Sequence, residues 1–204
     1  ILLQNLCAFY DVGEHNEMRL HGADWNDALD MAWEKGESVA FTCAYAGNLR
    51  NIAKTLRQLE EISGSSKIEI AHEMEDLLAG SVELYEDAAR KQALLAGYAK
   101  KCEHNISGDT IVVRLDQLAA NLEGKADWMM KNIRANEWVK DGEDGWFNGY
   151  YDNHGRKVEG VMDESVRMML TGQVFAIMSG TATEDQVESI CRSADKYLYD
   201  QKAG

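Results

Sequence analysis

Apolar residues between positions 37 and 62 recur with the spacing of an α-helix. They step along the chain by three, four and three positions, at Leu49, Ile52, Leu56 and Leu59. This spacing puts the four side chains on one face, so the pattern predicts an amphipathic helix that buries that face.

Further stretches of the chain show the same helical character. Helix is predicted over 65–101, over 110–138 with a break near Gly124, and again after Thr183. Thr183 and Gln186 have the spacing of a capping box, which marks the start of the last helix. Long helices joined by short loops predict an all-α fold built of helical hairpins.

One segment, 141–160, departs from this pattern. It reads "DGEDGWFNGYYDNHGRKVEG" and is rich in glycine, asparagine and aromatic residues. The letters "WFNGYY" predict a short strand, "DNHG" a turn and "RKVEG" a returning strand. We therefore expect a short β-hairpin or loop excursion here. A loop this rich in aromatic residues commonly lines or covers a cavity.

The net charge of the chain limits its partners. A formal charge of −14 over 204 residues repels nucleic acid and anionic membrane surfaces, so neither partner is expected. The longest uncharged run, 168–183, has 16 residues and is too short and too polar to span a bilayer. The four cysteines are scattered without a C-x-x-C pair, which favours reduced thiols and a cytoplasmic location.

The beginning of the chain is unusual for a complete protein. It opens "ILLQNLCAFY" without methionine, and proline is absent throughout, although average usage is about 5%. These features predict an internal piece of a longer chain, with room for one domain or two small ones.

No metal or cofactor site is predicted. The stretch "DWNDALD" lacks the third ligand of a calcium loop, because Ala28 occupies that position. The stretch "HEMED" begins like a zinc-binding helix, but Asp76 replaces the second histidine.

The stretch "HGADWNDALD", 21–30, allows two interpretations. In the first, Asp24 caps a helix and Asp27 lies near the positive end of its dipole. In the second, Trp25 stacks on a pyranose ring, and an apolar wall keeps the Asp27 carboxyl protonated as a general acid. Three further tryptophans are expected in the core or in helix packing: Trp33, Trp128 and Trp138.

The order of several motifs resembles a known family. "GADWNDALD", "KGESV", "GWFNGYYDNHGRKVEG" and "LTGQVFAIMSGTATEDQV" follow one another as in the inverting disaccharide and oligosaccharide phosphorylases of the cellobiose- and chitobiose-phosphorylase type. The amino-acid sequences of the first and third motifs are most similar to those of 1,2-β-oligoglucan phosphorylases. Cellobiose phosphorylase and the phosphorylase-like domain of cyclic β-1,2-glucan synthases are the alternatives.

The resemblance implies specific roles for residues of this chain. Asp27 matches the general acid of the family, and the substrate-binding candidates are Trp25, Asp24, Asn26, His21, Trp146, Tyr150 and Tyr151. The family fold is an (α/α)6 toroid, so residues 1–204 are expected to be part of such a catalytic domain, without its N-terminal β-sandwich and its C-terminal portion.

The resemblance also implies a reaction. Inorganic phosphate is the co-substrate, and a β-glucan oligosaccharide is cleaved with inversion to α-glucose 1-phosphate. The family's downstream phosphate-binding motifs are absent from this chain, so the isolated chain is expected to be inactive, while its parent is expected to be a homodimer. Two alternatives of another class remain. The first is a non-catalytic helical module that binds glucan through Trp25 and the aromatic residues of 146–151 without needing Asp27, and the second is an all-α interaction scaffold.

Overall fold

The computed structural model describes residues 1–21, 32–162, 165–200 and 202. The chain divides into two compact units. The first unit comprises Ile1–Asn16 and Tyr45–Trp128, and the second comprises Glu17–Ala44 and Met129–Gly204. Each unit is therefore built from two separate stretches of sequence.

The first unit is mainly helical and contains one pair of strands. Its elements in chain order are α1 (Leu2–Tyr10), most of α2 (Val39–Ser63), β3 (Lys67–Ala71), a 3₁₀ helix (His72–Leu78), α3 (Val82–Glu86), α4 (Ala88–Cys102), β4 (Thr110–Arg114) and the first part of α5 (Leu115–Asn136). None of the helices in the described part of the chain is long and apolar enough to cross a lipid bilayer.

The second unit combines short strands with two helices that follow them. Beyond its shares of α2 and α5, its elements are β1 (Met18–Arg19), β2 (Glu37–Ser38), β5 (Trp138–Asp141), β6 (Asp144–Phe147), β7 (Tyr150–Tyr151), β8 (Gly160–Val161), β9 (Val166–Arg167), α6 (Leu170–Met178) and α7 (Glu184–Tyr197).

The helical part of the sequence prediction is confirmed at α2 and α7. Leu49 and Leu56 of α2 are buried and Ile52 is half-buried, as the periodicity requires, whereas Leu59 near the end of the helix is 41% exposed. Thr183 and Gln186 form the predicted capping box in full, each side chain bonding the main chain of the other. A β excursion is present at 141–160, but only part of the predicted pairing is found. Tyr150 and Tyr151 form β7, and Tyr151 bridges Lys157 across the "DNHG" turn, whereas Asp144–Phe147 pair with β5, which lies before most of this segment. The toroidal arrangement of the helices stays a prediction.

The predictions of helix over 65–101 and from residue 110 onward were wrong in part, because 67–71 and 110–114 form strands β3 and β4. The break predicted near Gly124 was also wrong, because α5 runs without interruption from Leu115 to Asn136. Strands β3 and β4 pair antiparallel there, with Ile68 opposite Val113 and Ile70 opposite Ile111. β-Branched residues at every second position favour a strand, and the pairing gives each strand its hydrogen-bond partner. The prediction of an all-α fold is therefore corrected: the chain is mainly helical and also contains small β-sheets. Only the β structure at 141–160 was predicted from the sequence.

Aromatic rings around Phe9 form the centre of the first unit. The ring of Phe9 meets those of Tyr10 and Tyr85 edge-on, with both pairs of centroids 5.0 Å apart. Two buried lysines, Lys91 and Lys125, lie over the same ring, with their Nζ atoms 4.2 Å and 5.4 Å from its centroid. The cluster thus places cationic groups within an aromatic core, where ring faces attract them.

The ammonium group of Lys125 has its own polar partners. Its Nζ donates to the main-chain oxygen of Ala79 at 2.8 Å and to Oδ1 of Asn121 at 2.7 Å. Burial disfavours the charged form and lowers the pKa of Lys125 to about 7.

Replacing Lys125 by methionine, which keeps most of the side-chain volume, should remove a pH-dependent part of the stability. The pKa of Lys125 is about 7 in the folded chain and 10.5 in the reference state, so folding releases a proton between these values. The lysine's contribution to the free energy of unfolding therefore rises with pH, by about 1.4 kcal/mol per pH unit. Urea unfolding measured two pH units apart in this window should show the free energy of unfolding of the wild type, relative to the variant, rising by about 2–3 kcal/mol. A difference that does not change with pH would contradict the assignment.

Candidate functional site

The catalytic and substrate-binding candidates Asp24, Trp25, Asn26 and Asp27 lie outside the described residues. The segments on either side of them are described. Strand β1 ends at Arg19, just before this part of the chain, and strand β2 begins after it at Glu37. The connection between β1 and β2 therefore carries the whole aspartate–tryptophan motif.

A three-stranded antiparallel sheet joins the two strands that flank this connection to the aromatic motif at 146–151. Its strand order is β1-β2-β7. Glu37 lies opposite both Arg19 of β1 and Tyr151 of β7, while Ser38 lies opposite Tyr150. Motifs more than a hundred residues apart in the sequence are thus joined by main-chain pairing.

His21, a predicted substrate-binding residue, follows β1 at the start of the connection. It is exposed and adopts a φ of 52°, a left-handed conformation that is uncommon for residues other than glycine. One residue earlier, the N–H of Leu20 donates to the main-chain oxygen of Gly36 at 3.0 Å. The two ends of the connection are therefore fixed to each other.

Trp146 is buried in the core of the second unit. It packs in a cluster with Val39, Cys43 and Ile133, and its ring centroid is 5.5 Å from that of Tyr197. The side chain is 0% exposed, so its ring stabilises the unit. A direct sugar contact by Trp146 stays a prediction that would require the ring to be uncovered.

Tyr150 and Tyr151 are also buried, on the strand that pairs with β2. The hydroxyl of Tyr151 donates to Oε1 of Glu137 at 2.8 Å. Burial and the nearby negative charge of Glu137 both raise the pKa of Tyr151, so this phenol stays protonated and acts as a hydrogen-bond donor. The structure thus brings two predicted site residues together on β7, next to the strands that flank the motif.

Three buried glutamates accompany these tyrosines, namely Glu17, Glu37 and Glu137. The main-chain N–H of Glu17 donates to Oε2 of Glu37 at 3.1 Å. Oε2 of Glu137 accepts from Nδ2 of Asn148 at 3.1 Å and lies 3.3 Å from Nζ of Lys157. Sequence reasoning missed this network, because isolated glutamates far apart in the chain give no local pattern. Several carboxylates in one place repel an anion, so this network is unsuited to holding phosphate.

A fourth buried carboxylate, Glu159, links β7 to α6. Its Oε2 accepts from the N–H of Gly149 at 2.5 Å, and its Oε1 accepts from the N–H of Met169. Burial raises the pKa of Glu159 to about 8, although the two main-chain donors act in the opposite direction. The carbonyl of Gly149 in turn accepts from the N–H groups of Val39 and Ala40 at the start of α2. The residue before Tyr150 is thereby held from both sides.

Gly172 of α6 allows its helix to approach this junction closely. A Cβ at Gly172 would lie 3.0 Å from Cα of Gly149, a distance that forces backbone to move. Gly172→Ala is therefore expected to lower the free energy of unfolding by about 1–3 kcal/mol.

The matched control is Gly124→Ala in α5, where a Cβ would meet nothing within 4 Å. There alanine should raise stability by about 0.5–1 kcal/mol through its higher helix propensity. Thermal unfolding of the two variants should thus shift in opposite directions. A stabilising Gly172→Ala would contradict the close packing.

Metal-binding side chains do not converge in the part of the chain that the structure describes. No three His, Cys, Asp or Glu residues there are placed to hold a metal ion. The four cysteines are all free thiols, at Cys7, Cys43, Cys102 and Cys191. Hydrogen-bonding and carboxylate groups therefore provide the available chemistry in the described site.

Comparison with known proteins gives two matches. Residues 113–204 match the model for the catalytic domain of the glycosyl hydrolase 94 superfamily. Over 190 residues, or 92% of this chain, the sequence is 24% identical to solabiose phosphorylase from Paenibacillus borealis. The chain spans 17% of the length of that relative. The C-terminal part of the chain is thus similar to a glycosyl hydrolase 94 catalytic domain, and most of the chain is more weakly similar to a phosphorylase.

Proposed function

We propose that this chain is part of the catalytic domain of a carbohydrate phosphorylase, with Asp27 as its general acid. The main support is the match of 113–204 to the catalytic domain of glycosyl hydrolase 94. This stretch contains β7, which pairs with a strand that flanks the Asp27 motif. Similarity to solabiose phosphorylase agrees with the same reaction class.

In the proposed reaction, Asp27 donates its proton to the glycosidic oxygen as the bond to the anomeric carbon breaks. Inorganic phosphate attacks that carbon from the opposite face, so its configuration inverts and α-glucose 1-phosphate forms. An inverting hydrolase needs a second carboxylate to activate water. Phosphate is already an anionic nucleophile, and one acid is therefore sufficient.

Phosphate needs cationic or neutral hydrogen-bond donors. Beside Tyr151 these donors already bond or pair with Glu137, and the surrounding carboxylates repel an anion. We therefore place the phosphate site away from Glu17, Glu37 and Glu137. The chain spans 17% of the length of solabiose phosphorylase from Paenibacillus borealis, and we expect the isolated chain to be inactive.

The proposed substrate is a β-linked gluco-oligosaccharide. The sequences of the motifs "ALDMA" and "WFNGYYDNHGR" resemble those of 1,2-β-oligoglucan phosphorylases, which favours β-1,2 linkages. The reverse reaction tests the linkage, since a phosphorylase also transfers glucose from glucose 1-phosphate to an acceptor. The full-length protein would be given glucose 1-phosphate with sophorose, cellobiose or solabiose, and phosphate release would be measured. Release with sophorose is expected; release with cellobiose or solabiose alone would reassign the substrate.

A further inference from the structure

An exposed tryptophan follows the Asp27 motif. Trp33 lies immediately after the buried residue Ala32 and is 56% exposed. The expectation that Trp33 belongs to the core was wrong. The other described tryptophans, Trp128, Trp138 and Trp146, are buried or half-buried. A large aromatic ring left in solvent is a frequent element of ligand-binding surfaces, because it offers an apolar face at little conformational cost.

The turn that carries Trp33 is fixed by a side chain distant in sequence. Oδ1 of Asn153 accepts from the N–H of Glu34 at 2.8 Å and from the N–H of Lys35 at 2.9 Å. These are the two residues directly after Trp33. The Oδ1 atom of Asn153 therefore fixes the main chain directly after Trp33.

The same turn is closed by its own main chain. The N–H of Gly36 donates to the oxygen of Ala32 at 3.0 Å. A Cβ at Gly36 would lie 2.2 Å from that oxygen, so only glycine fits here. The turn is thus closed by the Gly36–Ala32 hydrogen bond and fixed at Glu34 and Lys35 by Asn153.

Asn153 is itself held in a well-ordered turn. Oδ1 of Asp152 accepts from the N–H groups of His154 and Arg156, both at 2.9 Å. Nε of Arg156 donates to Oδ2 of the same aspartate at 2.8 Å, and Gly155 supplies the positive φ of 71° that the turn needs. The oxygen of Asn153 is therefore placed before any ligand arrives.

We propose that Trp33 is a sugar-binding residue on which a pyranose ring of an oligosaccharide stacks, and that Asn153 is the residue that positions it. The sugar is uncharged, so the net charge of −14 does not oppose its approach. Glu34 and Lys35 follow Trp33 directly in the sequence, and their exposed side chains are able to bond sugar hydroxyls. Because the turn is fixed in advance, binding loses little conformational entropy. The identity of the sugar as a β-linked glucan rests on the proposed function.

The proposal is tested by titrating the 204-residue chain with β-1,2-linked gluco-oligosaccharides and, in parallel, with cello-oligosaccharides. Binding is followed by NMR at the tryptophan indole N–H signals. Trp33→Ala should weaken binding at least tenfold, whereas Trp33→Phe, which keeps an aromatic face, should retain part of it. Tyr199→Ala is the matched control, because Tyr199 is equally exposed at 57% and should leave binding unchanged.

The role of Asn153 is tested with a pair of substitutions. Asn153→Asp keeps the acceptor oxygen and should bind like the wild type, while Asn153→Ala should lose affinity and speed hydrogen exchange at the amides of Glu34 and Lys35. Affinity lost equally in both variants would contradict the positioning role. A wild-type chain that binds neither sugar series, or a Trp33→Ala chain that binds normally, would overturn the sugar site.

The outcomes separate this inference from the proposed function. Binding that depends on Trp33 in a chain whose full-length protein performs no phosphorolysis would support the sugar site and reject the phosphorylase. Phosphorolysis by the full-length protein with an unchanged KM in Trp33→Ala would support the phosphorylase and reject the sugar site at Trp33.

Discussion

Asp27→Asn in the full-length protein should lower kcat for phosphorolysis by about a hundred- to ten-thousand-fold. Asparagine preserves the shape of the side chain but has no proton to donate to the leaving oxygen, and general acid catalysis is worth about this factor. Initial rates of glucose 1-phosphate formation would be measured over a range of oligosaccharide concentrations. KM should change little, because the substitution removes a proton and not a binding surface.

The control for this substitution is Asp195→Asn, an exposed aspartate in α7. It makes the same chemical change away from the site and should leave kcat unaltered. A full-length Asp27→Asn protein with wild-type kcat would exclude Asp27 as the acid.

Trp146→Ala should destabilise the second unit by about 3–5 kcal/mol, the usual cost of removing a large aromatic side chain from a core. The ring is fully buried among apolar residues that include Val39 and Ile133, so truncation leaves a cavity that the neighbours fill only in part. Urea unfolding followed by far-ultraviolet circular dichroism measures the loss without relying on the fluorescence of the removed indole.

The comparison variant is Trp33→Ala, which removes the same side chain from an exposed turn. Its effect on stability should stay within about 0.5 kcal/mol. If Trp146→Ala retained full stability and lost only sugar affinity, Trp146 would be a binding residue and its core role would be refuted.

Features set by neighbouring residues were predictable from the sequence. The apolar spacing of α2 and the capping box of Thr183 and Gln186 depend on positions three or four apart, and both are present. The "DNHG" turn is also present between Asp152 and Arg156. In each case the local chemistry and the final fold agree, as expected for a sequence that folds cooperatively.

Features set by distant partners were not predictable. Strands β1, β2 and β7 are two residues long each, too short to show a period, and their pairing depends on the tertiary fold. The burial of Glu137 depends on a tyrosine donor 14 positions away. Trp33 is exposed in a turn whose main chain is bonded by an asparagine more than a hundred residues later, whereas residue type alone predicts that a tryptophan is largely buried.

The central claim is phosphorolysis with inversion, and ³¹P NMR of the full-length protein tests it most directly. The protein would be incubated with inorganic phosphate and a β-1,2-linked gluco-oligosaccharide, and the phosphorus signals followed over time. Phosphorolysis with inversion should give a new ester signal at the position of α-glucose 1-phosphate, with a matching loss of the inorganic phosphate signal. Release of free glucose with the phosphate signal unchanged would contradict it.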